Sequence, residues 1–165
     1  MLQHNTLYKI GAILLAVASP LICILFAGFN ESLSDYWTTD MQPLFIFTNA
    51  VTSYYLFTNP KWRIPSSLLL LLTAFSVEEF KIIHNSLAIA FFITALIAML
   101  LDKRYKLYAI PYISSIFWFR SMDEMLIAEM IAIYVLCAFH ATDIGHYLWL
   151  TWKRKQYKHE LDSNF

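Results

Sequence analysis

Charge is scarce in this chain. Only 15% of its 165 residues are Asp, Glu, Lys or Arg, well below the roughly 25% of soluble domains. Glycine is scarcer still, with three residues, and no Gly/Ser-rich linker or low-complexity tract interrupts the sequence. Nothing therefore divides the chain into two domains. Its two cysteines, Cys23 and Cys137, both lie inside apolar stretches. That argues against a disulfide framework and leaves them as small buried hydrophobes. The sequence has no Gly-rich phosphate loop, nucleophile elbow, CxxC or HExxH pattern, which removes the usual signatures of nucleotide, hydrolase, redox and zinc-protease chemistry. The formal net charge is zero and the basic residues do not interleave with aromatics on one face, so a nucleic-acid partner has no support.

What is abundant is apolar surface. Hydrophobic residues make up 59% of the chain and aromatics 17%, gathered in long blocks rather than at amphipathic spacing. Such blocks are membrane spans rather than faces of a soluble core. The sequence predicts an all-α, polytopic transmembrane bundle of six spans, at about 10–29, 41–58, 64–78, 82–101, 106–119 and 125–151, with 153–165 as a cytoplasmic tail. The first block follows Lys9 and could pass for a signal peptide. Its near-twenty residues, with Pro20 inside, fit a kinked span better. The third and fifth blocks are short for spans, so four spans with two re-entrant segments is the main alternative topology.

The basic residues orient the bundle. With the N-terminus inside and strict alternation, the inner segments hold Lys9, Lys61, Arg63, Lys103, Arg104, Lys106, Lys153, Arg154, Lys155 and Lys158; the outer ones hold only Lys81 and Arg120. This is the positive-inside pattern and predicts N-in, C-in. Tyr36, Trp37, Trp118 and Phe119 fall at outer ends of spans, and Trp62, Tyr105, Trp149 and Trp152 at inner ends, as an aromatic belt would.

Ionisable groups inside spans are the candidates for function. Glu129, His140 and Asp143 all lie in the sixth block. Glu129 and His140 share a helix face but are about 16 Å apart along it, too far to ligate one ion. An outer cluster built from Ser34, Asp35, His84 and Glu129 would suit acid–base catalysis, with His84, Glu129 and Asp35 as candidate ligands for a divalent metal such as zinc. The plainer account is that the loop acids are solvated and His84 opens its helix. Glu129 is the harder case, because a carboxylate at its depth needs a partner; Arg120 and Lys81 are the outer cations available. At the inner end, His140 and Asp143 are spaced for a hydrogen-bonded pair, serving as proton relay or structural glue. Thr48, Asn49, Thr52 and Ser53 form one polar stripe on the second span, placed either to bond across helices or to line a cavity.

The run Ser32-Leu33-Ser34-Asp35-Tyr36-Trp37-Thr38-Thr39-Asp40-Met41, followed by His84 before Phe91-Phe92 and Glu129 in the last span, resembles a bacterial six-span membrane family, domain of unknown function number 998. More distantly it is similar to the ceramidase-type CREST membrane hydrolases. The first resemblance implies six spans in a bacterial inner membrane and no defined activity. The second implies a metal-dependent hydrolase using Ser, Asp and three His. Thr38 and Thr39 stand where the first family is expected to have a His, and His140 and His146 do not match the hydrolases' close His pair. The sequence therefore points first to a non-catalytic accessory bundle that binds lipid or a protein partner without a cofactor. A membrane-embedded metal-dependent hydrolase or lipid-modifying enzyme comes second, and a small proton-coupled transporter third.

Overall fold

The computed structural model describes residues 2–117 and 125–163. Among them there is no strand; the chain is a set of helices, α1 Leu2–Ala27, α2 Gln42–Phe57, α3 Arg63–Leu72, α4 Lys81–Leu100, α5 Ala109–Phe117 and α6 Met125–Ser163. Short 3₁₀ turns at Leu33–Thr38, Pro60–Trp62 and Lys106–Tyr108 lie between them. The breaks have local causes. Gly28 ends α1 at φ +78°, a left-handed turn that only glycine adopts without strain, and its N–H bonds Ile24 O at 2.9 Å. Asn59 accepts from the Lys61 N–H at 3.1 Å, and Pro60 after it cannot continue α2.

Among the described residues, three helices are long and apolar enough to cross a membrane: Thr6–Ala27, Lys81–Leu100 and Met125–Tyr157. The block expected at 64–78 is helical only to Leu72. There Thr73 bonds its hydroxyl to Leu70 O at 2.6 Å, and residues 73–80 continue as turns. In the block at 106–119 the described residues form the 3₁₀ turn and then the helix Ala109–Phe117; Trp118 and Phe119 lie outside the described residues. Residues 153–163 of the predicted tail continue α6, which runs 39 residues from Met125 to Ser163, about 58 Å at 1.5 Å per residue.

Each helix packs on the next in sequence, and α6 returns to pack on α1, closing a ring. The α2–α3 seam is held by paired serines: Ser53 Oγ donates to Ser66 O at 2.6 Å and Ser66 Oγ to Ser53 O at 2.7 Å. Small residues permit that close approach. Tyr112 Oη donates to Phe92 O across the α4–α5 seam.

Chain direction alternates around the ring. At one end, Leu126 N–H donates to Glu31 O at 2.9 Å, and Trp37, Gln42, Ser76 and Glu79 line one cleft. At the other end, Arg104 pairs with Asp143 at 3.0 Å, Tyr108 Oη bonds Thr142 Oγ1 at 2.7 Å, and Trp62 packs on His140 at 4.5 Å. Arg104 also hydrogen-bonds Asp102 and holds its carboxyl below the usual carboxylate range. Around the outside, every helix shows bare apolar side chains, among them Leu14, Phe47, Ile64, Ile89, Ile110 and Leu148.

Two residues expected in the aromatic belt are core instead. Tyr36 is 0% exposed and Trp62 1%. Tyr36 folds inward to donate its hydroxyl to Gly28 O at 2.6 Å. Trp62 sits on a tight turn that swings it under α6, against Phe139 and His140. Trp149 and Trp152 are exposed, as the belt requires.

Candidate functional site

Within the ring, α1, α2 and α6 do not meet along their whole length. A cavity runs between them, lined on α1 by Ala12, Ala16, Ser19 and Cys23, on α2 by Thr48, Asn49, Thr52 and Tyr55, and on α6 by Ile133, Cys137 and His140. From Ala12 to Cys23 it follows α1 for about 16 Å. The α1 wall is a run of small residues at spacings of four, three and four. These share one face of a helix and leave room beside it. Leu33 roofs the cavity at one end. His140 stands towards the other, between the rings of Tyr55 at 5.1 Å and Trp62 at 4.5 Å.

The polar stripe of α2 splits in two. Ser53 serves the α3 seam, while Thr48, Asn49 and Thr52 line the cavity. Asn49 thus faces the bundle interior. Thr48 Oγ1, Thr52 Oγ1 and His140 Nε2 are buried and have no hydrogen-bond partner within the protein. A buried polar atom left so costs about 1–3 kcal/mol. Five further such atoms lie elsewhere among the described residues, on Asn30, Trp37, His84, Tyr105 and Tyr134.

Glu129 is satisfied from a direction the sequence did not reveal. Its Oε2 accepts the Leu33 N–H at 2.7 Å, buried, across 96 positions of sequence. Neither expected cation serves it: Lys81 is exposed and makes no ion pair with it, and Arg120 lies outside the described residues. The amide it holds is the first of the 3₁₀ turn Leu33–Thr38, and the preceding one, Ser32 N–H, is held by Asp35 Oδ2 at 2.8 Å. Two carboxylates thus occupy the donors left without helical partners at the start of the turn, the position that favours negative charge. With Leu126 N–H on Glu31 O, they fasten the segment from Gly28 to Met41 over the cavity mouth. Leu33 and Tyr36 form the apolar underside of this cover, packed with Cys23 of α1 and Leu126 of α6.

The outer catalytic cluster does not assemble. His84 is 0% exposed, and its Nδ1 donates to Phe75 O at 2.7 Å, which ties α4 to the turns before it. No hydrogen bond or ion pair among the described residues joins His84 to Ser34, Asp35 or Glu129. Ser34 is buried in the cover. Likewise His84, Glu129 and Asp35 do not form a metal site: no group of three or more His, Cys, Asp or Glu able to hold an ion occurs among the described residues. The reason is topological. His84 lies on α4 under residues 73–80, whereas Glu129 lies on α6 under the Gly28–Met41 cover, and α4 and α6 are not neighbours in the ring.

The His140–Asp143 pair does not form either. Asp143 turns to Arg104, while His140, three residues back, faces the aromatic core. One helical face separates inner from outer, and a cation from the α4–α5 connection outcompetes a neutral imidazole for the carboxylate. Cys23 and Cys137 are free and buried, and both line the cavity. The small-residue run on α1 was readable in the sequence as a signal for this cavity; the Leu33 amide was not. Compared with known proteins, the chain matches no family model, no curated protein and no solved structure.

Proposed function

We propose that the chain is a multi-pass protein of a cell membrane, a non-catalytic bundle that binds a small molecule of largely apolar body in its central cavity. The observation that carries this is the cavity itself: α2 turns Thr48, Asn49 and Thr52 towards it rather than into a packed seam. Interior cavities lined by apolar side chains with a few convergent polar groups are the usual form of small-molecule sites. The non-catalytic part rests on the fate of the candidate residues. The Glu129 and Asp35 carboxylates and the His84 Nδ1 are each engaged by backbone.

Membrane embedding is supported by the three long apolar helices and by the apolar side chains around the ring; such a surface would aggregate in water. A six-span, N-in and C-in topology is supported by the alternating chain direction, which puts Lys9, Arg104 and Asp143 on one cleft and Trp37, Gln42 and Glu79 on another. In this topology residues 73–80 complete the third crossing as irregular backbone. That is tolerated only where its polar groups are met internally, as His84 meets Phe75 O. Reporter fusions after Lys61, Arg104 and Lys158 are expected to read as cytoplasmic in all three cases; one reading from the opposite side overturns the topology.

The binding itself is tested by mass spectrometry of the protein released intact from membranes, beside an Ala16→Phe variant that fills the cavity wall. A bound small molecule is expected on the unmodified protein and is expected to be missing from the variant. Identical mass distributions for the two overturn the proposal.

A further inference from the structure

We infer that the cleft where α1 meets α6 at the Arg104 end of the ring is a site for one phospholipid of anionic headgroup, its phosphate held by Lys9 and Arg104. This rests on the membrane reading above and not on the central cavity, with which the cleft shares no lining residue among those described. Its walls come from three places in the chain. Lys9 is supplied by α1, and Asp143, His146 and Tyr147 by α6, while Arg104 arrives from the connection between α4 and α5.

Charge carries the argument. Lys9 is half-buried and makes no ion pair among the described residues. A cation drawn partly out of water without a counter-charge is unfavourable, and an anion entering the cleft offsets that. The carboxylate in the lining, Asp143, turns instead to Arg104 Nη2 at 3.0 Å. Arg104 spends Nε and Nη2 on Asp102 and Asp143, and its Nη1 makes no hydrogen bond among the described residues. The lining thus holds two cations, from separate elements, against one carboxylate. An ammonium and a guanidinium converging in this way suit the oxygens of a phosphate. His146, three residues past Asp143 on the same helix, adds an imidazole N–H as a further donor.

Depth points to a lipid rather than a soluble anion. On the same two helices beside the cleft, Leu7, Ile10 and Leu148 are apolar and exposed, and exposed Leu150 lines it. Exposed Trp149 lies against the His146 ring at 5.8 Å and carries Lys153 Nζ over its own face at 4.4 Å. An exposed tryptophan in such company marks the level of lipid headgroups. The phosphate-binding groups therefore stand at headgroup depth, with apolar surface beside them for acyl chains. Basic pockets between membrane helices on the cytoplasmic side take anionic headgroups in this way.

The test uses the full chain in detergent micelles, titrated with dihexanoyl phosphatidylglycerol or dihexanoyl phosphatidylcholine, with bound lipid counted by native mass spectrometry. One phosphatidylglycerol per chain is expected, bound about fivefold more tightly than phosphatidylcholine, the effect of about one charge contact. Lys9→Gln is expected to abolish that preference and Lys9→Arg to keep it; His146→Ala, with a smaller loss in the same direction, serves if Lys9→Gln fails to fold. Lys155→Gln removes a cation outside the cleft and is expected to leave the preference in place. Equal binding of the two lipids overturns the inference. So does a loss for Lys155→Gln as large as that for Lys9→Gln, which leaves only the general attraction of a basic helix to an anionic surface. Displacement of phosphatidylglycerol by inorganic phosphate at equal concentration moves the source from lipid to solution and overturns it as well. Recovery of the folded chain in water without detergent overturns the membrane reading, and this site with it.

Discussion

The Trp62→Ala protein is expected to lose about 3–5 kcal/mol of stability, the range for removing a large buried aromatic. Trp62 is 1% exposed, on the 3₁₀ turn between α2 and α3, and its ring lies 5.6 Å from Phe139 and 4.5 Å from His140 on α6. It therefore fills the space where three helices converge at one end of the ring. Lipid cannot substitute for it there, because the site is enclosed on every side. The same substitution withdraws the ring that stands against His140. Trp62→Phe keeps part of the contact and is expected to cost less than half as much. Thermal or denaturant unfolding in a fixed detergent or nanodisc measures both. A loss under about 1 kcal/mol for Trp62→Ala, the size expected of an exposed interfacial residue, would return Trp62 to a lipid-anchoring role.

Glu129 carries the other large expectation, and two substitutions separate its roles. Its carboxylate accepts the Leu33 N–H at 2.7 Å. Glu129→Gln keeps an amide oxygen in place as acceptor, so the cover over the cavity stays fastened and stability changes little. Glu129→Leu leaves that buried amide unpaired, at about 1–3 kcal/mol. It also frees the cover from Gly28 to Met41 while Leu126 still holds Glu31 O. Limited proteolysis within that segment is expected to quicken for Glu129→Leu and not for Glu129→Gln. If the two variants are equally destabilised, the negative charge itself is needed, and a cation or metal partner replaces the backbone amide as what offsets its burial. If both are silent in stability and in proteolysis, Glu129 does not hold the cover.

Much of the helical layout was legible because it depends on local composition. Gly28 ends α1 in a left-handed turn, and Asn59-Pro60 ends α2, by local backbone chemistry. The long apolar runs behind α1, α4 and α6 are long in any fold. The α2 stripe was legible as well, as a face of one helix, though not which neighbour it meets. Ser53 found another serine, while Thr48, Asn49 and Thr52 found a cavity. Periodicity states that residues share a face; the packing partner of that face is a fact about other helices.

The sites were less legible for the same reason. Glu129 stands out because a carboxylate in an apolar run demands a partner, and a sequence displays only the side chains that could serve. Its partner is a backbone amide 96 positions away, and amides carry no sequence mark. His140 and Asp143 lie three apart, which brings two side chains within reach of each other; the Arg104 guanidinium, 39 positions before Asp143, decided which contact formed. His84 and Glu129 share the outer side in a six-span topology, which says nothing of where they stand around the bundle. A ring of helices has a circumference, and α4 and α6 sit apart on it.

By itself, then, the sequence determined that the chain is helical, that it carries long apolar helices, where most of these begin and end, and which few polar groups are out of place among them. These follow from hydrophobicity, glycine and proline, whose effects act within a few residues. Only the tertiary structure decided that the helices close into a ring, that Tyr36 and Trp62 belong to its core, that the Glu129 carboxylate fastens a cover, and that the α1 small residues face the α2 hydroxyls across a cavity. Each of these depends on two segments distant in sequence arriving side by side, and that is set by the packing of the whole rather than by any one stretch of it.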